Sequence, residues 1–534
     1  MTRAQIGQPS CVPVDDCSAP FPPAGADVVV AANAPAPALP TITAALAAVP
    51  DGGTIAVDTG EYDGSVSITR SVHIIGRCAS QVTILSNDVR GVFAQGAFNA
   101  EIRGITIRGG QGGLVAADGA QIQASHVFLT GSSAISVLAG RGGGVALTQS
   151  LIDGGGMTSS LTAGQGGGVV VTEGSRVTLD DVEVRNVSPA FSAYDASSSI
   201  TVKRSLVSYL GPDRQTTLVM AWSGASVLAD ESAFTTKESA LLYLGAAFPG
   251  SMSSAPARAL FTSSELAQTG FNRPDVLMQV TAGASAGFDH TSIHHQSAIA
   301  VGVTGTGSDA KFASAVLRGE STADVIRTSL MVLHGGSGEL YDTAVVAAIQ
   351  NALLVGHPGS SLTLTRSLVS GTTFVGPGPN AKIGGSGIAV GVGLQARLTL
   401  TDSALVGNQQ FGLYVATGST ASVATSLVDG TLASPSAPGG AVLVEDGAAF
   451  SLSGTVLRNN AEAALSCGGG GVLASQNTFI GNQVGVAADP ARVVEPLSSP
   501  PASAAGNVVL YENLFFANGS DRGDPPTYLP GPGL

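Results

Sequence analysis

Residues 361–371 read SLTLTRSLVSG. Leu362 and Leu364 alternate with Thr363 and Thr365, a second apolar pair (Leu368, Val369) follows the Arg366-Ser367 step, and Gly371 closes the unit. Alternation over a few residues, bounded by glycine, is the pattern of a short strand with one buried face. The pattern returns in RLTLTDSALVGN from Arg397, RVTLDDVEVRN from Arg176, ITVKRSLVSYLG from Ile200 and ASVATSLVDG from Ala421. One such unit cannot bury its apolar edge alone, so the repetition predicts copies stacked on one another.

The step between copies is 23 residues from Ser403 to Ser426 and 36 from Ser367 to Ser403. A coil of about two dozen residues with lateral insertions accounts for both. Leu362 and Leu364 then point inward and Thr363 and Thr365 outward. The Arg366-Ser367 position holds Lys203-Arg204, Asp402-Ser403 or Thr425-Ser426 in other copies, so it reads as a variable turn. Several copies end in Asn (Asn186, Asn408, Asn460, Asn482, Asn518), a residue that tolerates the left-handed conformation of a sharp turn. Stacked coils would align these amides in a ladder; isolated turn asparagines are the competing reading.

Residues 1–40 are a Cys- and Pro-rich lead-in, 41–520 carry the repeat, and 521–534 form a Pro-rich tail. Within 41–49 (TITAALAAV), Ile42, Ala45, Leu46 and Val49 share one helical face and Pro50 stops the helix. A short amphipathic helix before a stack of strands covers the apolar end that stacking leaves open. The stretch 210–286, with Trp222, is less regular and suggests longer loops.

Composition narrows the class. Glycine occurs 71 times, charged residues make up 12% and aromatics 5%, which suits many short strands and tight turns rather than a helical enzyme. A net charge of -14 argues against nucleic acid and against anionic lipid as partners. No run reaches the roughly 18 apolar residues of a membrane span, so no transmembrane segment is expected. Of the four cysteines, Cys11 and Cys17 either bridge to each other or one of them reaches Cys78; Cys467 lies apart. Either bridge points to an oxidising, extracytoplasmic setting. Because MTRAQIGQPS has no apolar core, Met1 is then expected to begin a chain whose leader has been removed.

The segment TITAALAAVPDGGTIAVDTGEYDGSVSI from Thr41, followed by VHIIGRC from Val72, resembles the start of bacterial, exported right-handed parallel β-helix proteins of the pectin-lyase-like superfamily. The resemblance implies an all-β fold, a single-stranded right-handed parallel β-helix (solenoid) with a short N-terminal capping helix. That superfamily holds polysaccharide lyases, hydrolases, esterases and epimerases beside adhesins and surface proteins, so fold does not choose among them.

No enzyme family's motif set is complete. Gly60-Glu61-Tyr62 resembles a structural segment of pectin methylesterases, but their QDT and DFIFG-like catalytic stretches are missing. Of polygalacturonase-like elements only the pair Asp180-Asp181 occurs, and Arg273-Pro274-Asp275 lacks the second Arg of a pectate-lyase RxPxxR. The densest titratable group is Asp289-His290 with His294-His295. A lyase or epimerase needs a base, an acid and a cation at one sugar; His290, Tyr341 and Arg318 would supply them in that order. Solvated surface histidines are the competing reading. His334-Gly335-Gly336-Ser337 lacks the strand-to-helix setting of a nucleophile elbow, and Arg522-Gly523-Asp524 is a chance tripeptide. Asp153, Asp402 and Asp429 recur near turns and would suit Ca²⁺, but without a GGxGxD repeat they read as solvated carboxylates, and no cofactor is expected. The expectation is a monomeric, exported, non-catalytic scaffold for adhesion, contacting polysaccharide or a surface protein along its lateral face. The alternative is a uronate lyase or epimerase.

Overall fold

The structure, a computed structural model, describes residues 1–8, 10–32, 37–86, 90–155, 167–211, 217–237, 239–246, 255–270, 275–319, 328–374, 387–434, 439–495, 504 and 506–523. Arg273, Pro274, Asp524 and the rest of the Pro-rich tail lie outside them. The chain divides into two compact units, residues 1–272 and 273–534.

In both units each coil gives one strand to each of three sheets, and the strands of a sheet are parallel and in register. In the first unit, Arg176–Asp180 belongs to the first sheet, Glu183–Arg185 to the second and Phe191–Ala193 to the third. Val177 pairs with Ile200 and Leu179 with Val202 in the next coil. In the second unit Leu362 and Leu364 of Ser361–Thr365 pair with Leu398 and Leu400, and all four are buried, as the alternation predicts. The chain is thus an all-β parallel β-helix with one short helix, as the resemblance implied. The strands Ser226–Asp230, Ala233–Thr236, Arg258–Thr262 and Glu265–Gln268 keep the parallel register of their neighbours, while residues 247–254 lie outside the described residues. Third-sheet strands differ from the other two: Gly167–Val171 and Phe411–Val415 are buried along their whole length and read as continuous apolar runs.

Aromatic rings meet inside each unit. Phe191 of the third sheet, Phe234 of the second and Phe261 of the first pack edge to face across the interior, with ring centres 6.2 and 5.5 Å apart. In the second unit Phe479 and Phe515 stack with centres 4.8 Å apart and an 8° tilt. That distance is the spacing of neighbouring strands, so the rings follow the backbone repeat.

The helix, Ile42–Ala48, sits where the pattern places it. Thr41 caps it by accepting the Ala44 N–H at 3.1 Å, and Ile42, Ala45 and Leu46 are buried. It packs on the strands Val28–Val30, Gly53–Val57 and Val66–Ile68 and so covers the first coil. Val28–Val30, inside the expected lead-in, is already a first-sheet strand.

The corner between first and second sheets explains the Arg366-Ser367 step. The residue leaving the first-sheet strand is left-handed without being glycine: φ is 55° at Asp181, 46° at Arg204 and Glu231, 48° at His290, 49° at Asp342 and Arg366 and 51° at Asp402. This conformation costs about 1–2 kcal/mol per non-glycine residue. The residue after it compensates. Ser367 donates its hydroxyl to Thr365 O at 3.0 Å and accepts the Thr343 N–H of the preceding coil at 3.2 Å. Ser403 and Ser426 repeat both bonds, and Ser205, Ser232 and Ser264 do the same in the first unit.

The asparagines act by a different route from the one their turn propensity suggests. Only Asn186 of the five is left-handed; at the other four the residue before takes that conformation (Gly407, Asn459, Gly481, Ala517). Asn482 Oδ1 accepts the Asn460 N–H at 3.1 Å, and Asn518 Oδ1 accepts the Asn482 N–H at 3.0 Å. The side-chain amide of Asn482 donates to Leu457 O at 3.0 Å. Asn460–Asn482–Asn518 is therefore a ladder that satisfies buried backbone groups at the corner between second and third sheets, with Asn408 in the equivalent role toward Thr372.

Asn482→Leu, of similar size, would leave the Asn460 N–H and Leu457 O unpaired and is expected to cost about 3–5 kcal/mol in urea unfolding. Asn186→Gly, at the exposed left-handed position, should shift stability by less than about 1 kcal/mol. Equal effects of the two substitutions would rule out the amide ladder as the reason for asparagine here.

Candidate functional site

The three residues that would serve a lyase occupy three separate places in the second unit. His290 is an exposed corner residue whose Nδ1 lies 2.8 Å from the carboxylate of Asp289. Arg318 lies in the second sheet, beside His294 in one neighbouring coil and Val346 in the other. Tyr341 ends a first-sheet strand two coils beyond Asp289, with the Arg366 guanidinium 3.9 Å above its ring. His290 and Tyr341 thus each pair with a neighbour of their own, and Arg318 sits on a strand of a different sheet from Tyr341. His295, adjacent in sequence, points inward and is fully buried near Ser297 O and Ser329 Oγ.

The carboxylates considered for calcium are also engaged. Asp153 accepts from Arg185 at 2.7 and 2.9 Å and from Asn186 at 2.8 Å. Asp429 accepts from Arg458 at 2.7 Å and Asn459 at 3.1 Å, and Asp402 accepts from Thr425. Burial would raise the Asp153 carboxyl, but its bonds from Arg185 and Asn186 outweigh this and hold it below its ordinary value. The Arg458 guanidinium depresses Asp429 in the same direction, against the smaller opposing effect of burial. Among the described residues no group of three or more His, Cys, Asp or Glu side chains is arranged to hold a metal ion.

The first unit carries a more developed site, built around the N-terminal arm. Strands Thr2–Arg3 and Val12–Pro13 pair as an antiparallel hairpin. It lies on the outer face of the second sheet, along the column Thr106, Phe128, Leu151 and Glu183. The Met1 sulfur lies 3.6 Å from Thr106 Oγ1, Val14 packs with Ala79, Leu151 and Phe128, and the Ala4 N–H donates to Glu183 at 2.5 Å. Arg3, only 3% exposed, grips Asp181 with two bonds of 2.5 and 2.7 Å. Beneath the arm, burial raises the Asp15 carboxyl and lowers His126, so each favours its neutral form more than usual. Cys17–Cys78 staples the base of the arm to the body, one of the bridges left open by the sequence; Cys11 is an exposed thiol and Cys467 a buried one.

Beside the arm is a cavity of about 590 Å³. Gln5 and Ile6 of the arm form one wall; Thr148, Gln149, Asp180, Asp181, Arg204, Glu231 and Ser263 form the rest. Strand register explains this grouping. Asp180, Lys203 and Asp230 occupy one column at the strand ends, and the left-handed residues Asp181, Arg204 and Glu231 follow them in successive coils. Asp180 pairs with Arg204 at 2.5 Å and Asp181 with Arg3. The Glu231 carboxylate has no ion-pair or hydrogen-bond partner among the described residues, although its backbone N–H donates to Thr262 O at 3.0 Å. The Asp180-Asp181 pair, isolated in the sequence, is thus half of an alternating charge pattern, and its tie to Arg3 spans 178 positions.

No protein-family model and no curated protein matches this chain. Similar solved structures include a pectin methylesterase from Erwinia chrysanthemi, at 12% identity over 46% of this chain and 90% of that one, with a TM-score of 0.29. Another is the catalytic domain of a GH87 alpha-1,3-glucanase in complex with tetrasaccharides, at 12% identity over 80% and 70% of the two chains, with a TM-score of 0.34. At that distance neither protein's chemistry transfers to this one.

Two outcomes are expected. Arg3→Met strips Asp181 of its buried partner, at a cost of about 3 kcal/mol to arm docking. Thermolysin cleavage within residues 1–13 should rise roughly 100-fold while the rest of the chain stays resistant. Arg458→Met tests the corner pairs: the folded pKa of Asp429 lies below its unfolded value, so its contribution is complete above about pH 4 and fades as pH falls through the folded value. The stability gap between wild type and R458M in urea melts should therefore shrink below about pH 4; a gap constant down to pH 2 would dismiss the pair.

Proposed function

We propose that this protein is an exported, non-catalytic β-helix scaffold that binds carbohydrate on its lateral surface. The observation that carries this is the pairing of charges between adjacent coils where strands of the first sheet (Asp180, Asp342) and of the second (Asp429) end. Asp180 is held by Arg204, Asp342 by Arg366 and Asp429 by Arg458, each partner belonging to an adjacent coil. A general acid must keep its proton near neutral pH, and a guanidinium in contact with a carboxylate does the opposite. Paired carboxylates and guanidinium groups instead present fixed acceptors and donors, the groups that recognise sugar hydroxyls. The Cys17–Cys78 bridge supports an extracytoplasmic setting, and among the described residues no helix is long and apolar enough to cross a membrane.

The test is a glycan array probed with the full chain, run beside incubation with uronate polymers monitored in the ultraviolet for unsaturated sugars. Binding to the array with no growth of absorbance is expected. Absorbance that grows with wild type and is abolished by His290→Ala would establish the lyase reading in its place.

A further inference from the structure

We infer that the cavity beneath the N-terminal arm binds a saccharide bearing an amino group, with Glu231 as the acceptor of its ammonium and the arm as one wall. This rests on the carbohydrate-binding reading above and assigns it a place and a chemistry. Three carboxylates line the cavity, but Asp180 is neutralised by Arg204 and Asp181 by Arg3, which leaves Glu231 as the one uncompensated charge. An exposed, unpaired carboxylate at the rim of a half-open pocket favours a positive charge on the ligand. A uronate carboxylate would face Glu231 with like charge and no free cation in the lining to offset it, since the Arg204 guanidinium is already engaged by Asp180. Of the remaining lining, Ile6 offers an apolar surface, and Gln5, Thr148, Gln149 and Ser263 offer uncharged polar groups of the kind that hydroxyl groups satisfy. The volume, about 590 Å³, suits a bound segment of roughly two or three sugar rings.

The arm's part follows from its anchoring. Gln5 and Ile6 directly follow Arg3 and Ala4, whose bonds to Asp181 and Glu183 fix the backbone at the cavity edge. Arg3 thus positions the wall and also removes the charge of Asp181, without itself lining the cavity. The arm is held at its base by the Cys17–Cys78 bridge, so the wall is tied to the body at both ends of the hairpin.

The experiment is calorimetric titration of the full chain with three probes: a β-1,4-linked glucosamine trimer, its fully N-acetylated form, and trigalacturonate. The glucosamine trimer is expected to bind, the N-acetylated trimer to bind at least about tenfold more weakly, and trigalacturonate not to bind. Glu231→Gln keeps the size and hydrogen-bonding reach of the side chain and removes its charge. It should weaken the glucosamine trimer about tenfold or more and leave the N-acetylated trimer unchanged. Thr148→Met, which fills the cavity, should weaken both, and thermal melts of each variant report folding independently. Trigalacturonate binding as tightly as the glucosamine trimer, indifference of affinity to both substitutions, or no binding by any probe would overturn the assignment. If the array shows no glycan ligand at all, the broader reading falls with it; if it shows one whose binding ignores Glu231 and Thr148, only the cavity assignment falls.

Discussion

A parallel coil must turn sharply three times per circuit, and each turn takes a backbone N–H out of the sheet ladder. An unpaired buried amide costs on the order of 1–3 kcal/mol, and the cost recurs at every coil. The serines and asparagines of the corners meet it by accepting from the preceding coil; Ser367 and Ser403 donate in turn within their own coil, and Asn482 donates back to Leu457 O of the preceding one. The side chain that closes the turn therefore also joins two coils. This explains why left-handed Asp, Arg, His and Glu residues are tolerated beside them: the hydroxyl or amide next in the chain holds the backbone, and the corner residue is free to vary.

Register adds a second constraint. Parallel strands place equivalent residues about 4.8 Å apart, so any charge repeated at one position would repel its copies. The chain alternates signs instead: Asp181, Arg204 and Glu231 in the first unit, Asp342 and Arg366 in the second. The same rule makes the interior aromatics stack, since Phe479 over Phe515 costs nothing in register. What distinguishes the cavity beside the arm is that Arg3 arrives from outside the stack to neutralise Asp181 while Arg204 is taken by Asp180, so that the Glu231 carboxylate has no counterpart.

Much of the coil was legible in the residues. Leu362 and Leu364 point inward and the helix at 42–48 caps the first coil, as periodicity implies; at the Arg366-Ser367 step only the left-handed residue varies, the serine after it recurring as Ser205, Ser232, Ser403 and Ser426, so the counterpart is Arg204-Ser205 rather than Lys203-Arg204. The asparagine ladder was legible too, but for the wrong physical reason: at Asn482 the amide is used for its hydrogen bonds, while Gly481 takes the left-handed conformation. The site was much harder to read. His290, Arg318 and Tyr341 cluster along the sequence, yet coil geometry puts them on different strands and columns. The Arg3–Asp181 contact joins residues far apart in the chain, and no local pattern marks the hairpin 2–13 as a strap. The signal that was present is the order Asp180-Asp181, Lys203-Arg204, Asp230-Glu231, which becomes an alternating lattice only once the copies are aligned corner to corner.

The alternation has a consequence for how the repeat can grow or shrink. Coils that share the same inward pattern would be interchangeable if only the core mattered, and the stack could lose or gain one without penalty. Removing the coil that carries Asp180 and Asp181 would set Gln149 against Arg204 and leave Arg3 facing no carboxylate, although every buried leucine and valine would still find a partner. The corner thus numbers the coils: it gives each a defined neighbour in a stack whose interior is nearly degenerate, and a fold made of copies acquires an order that its core alone does not specify.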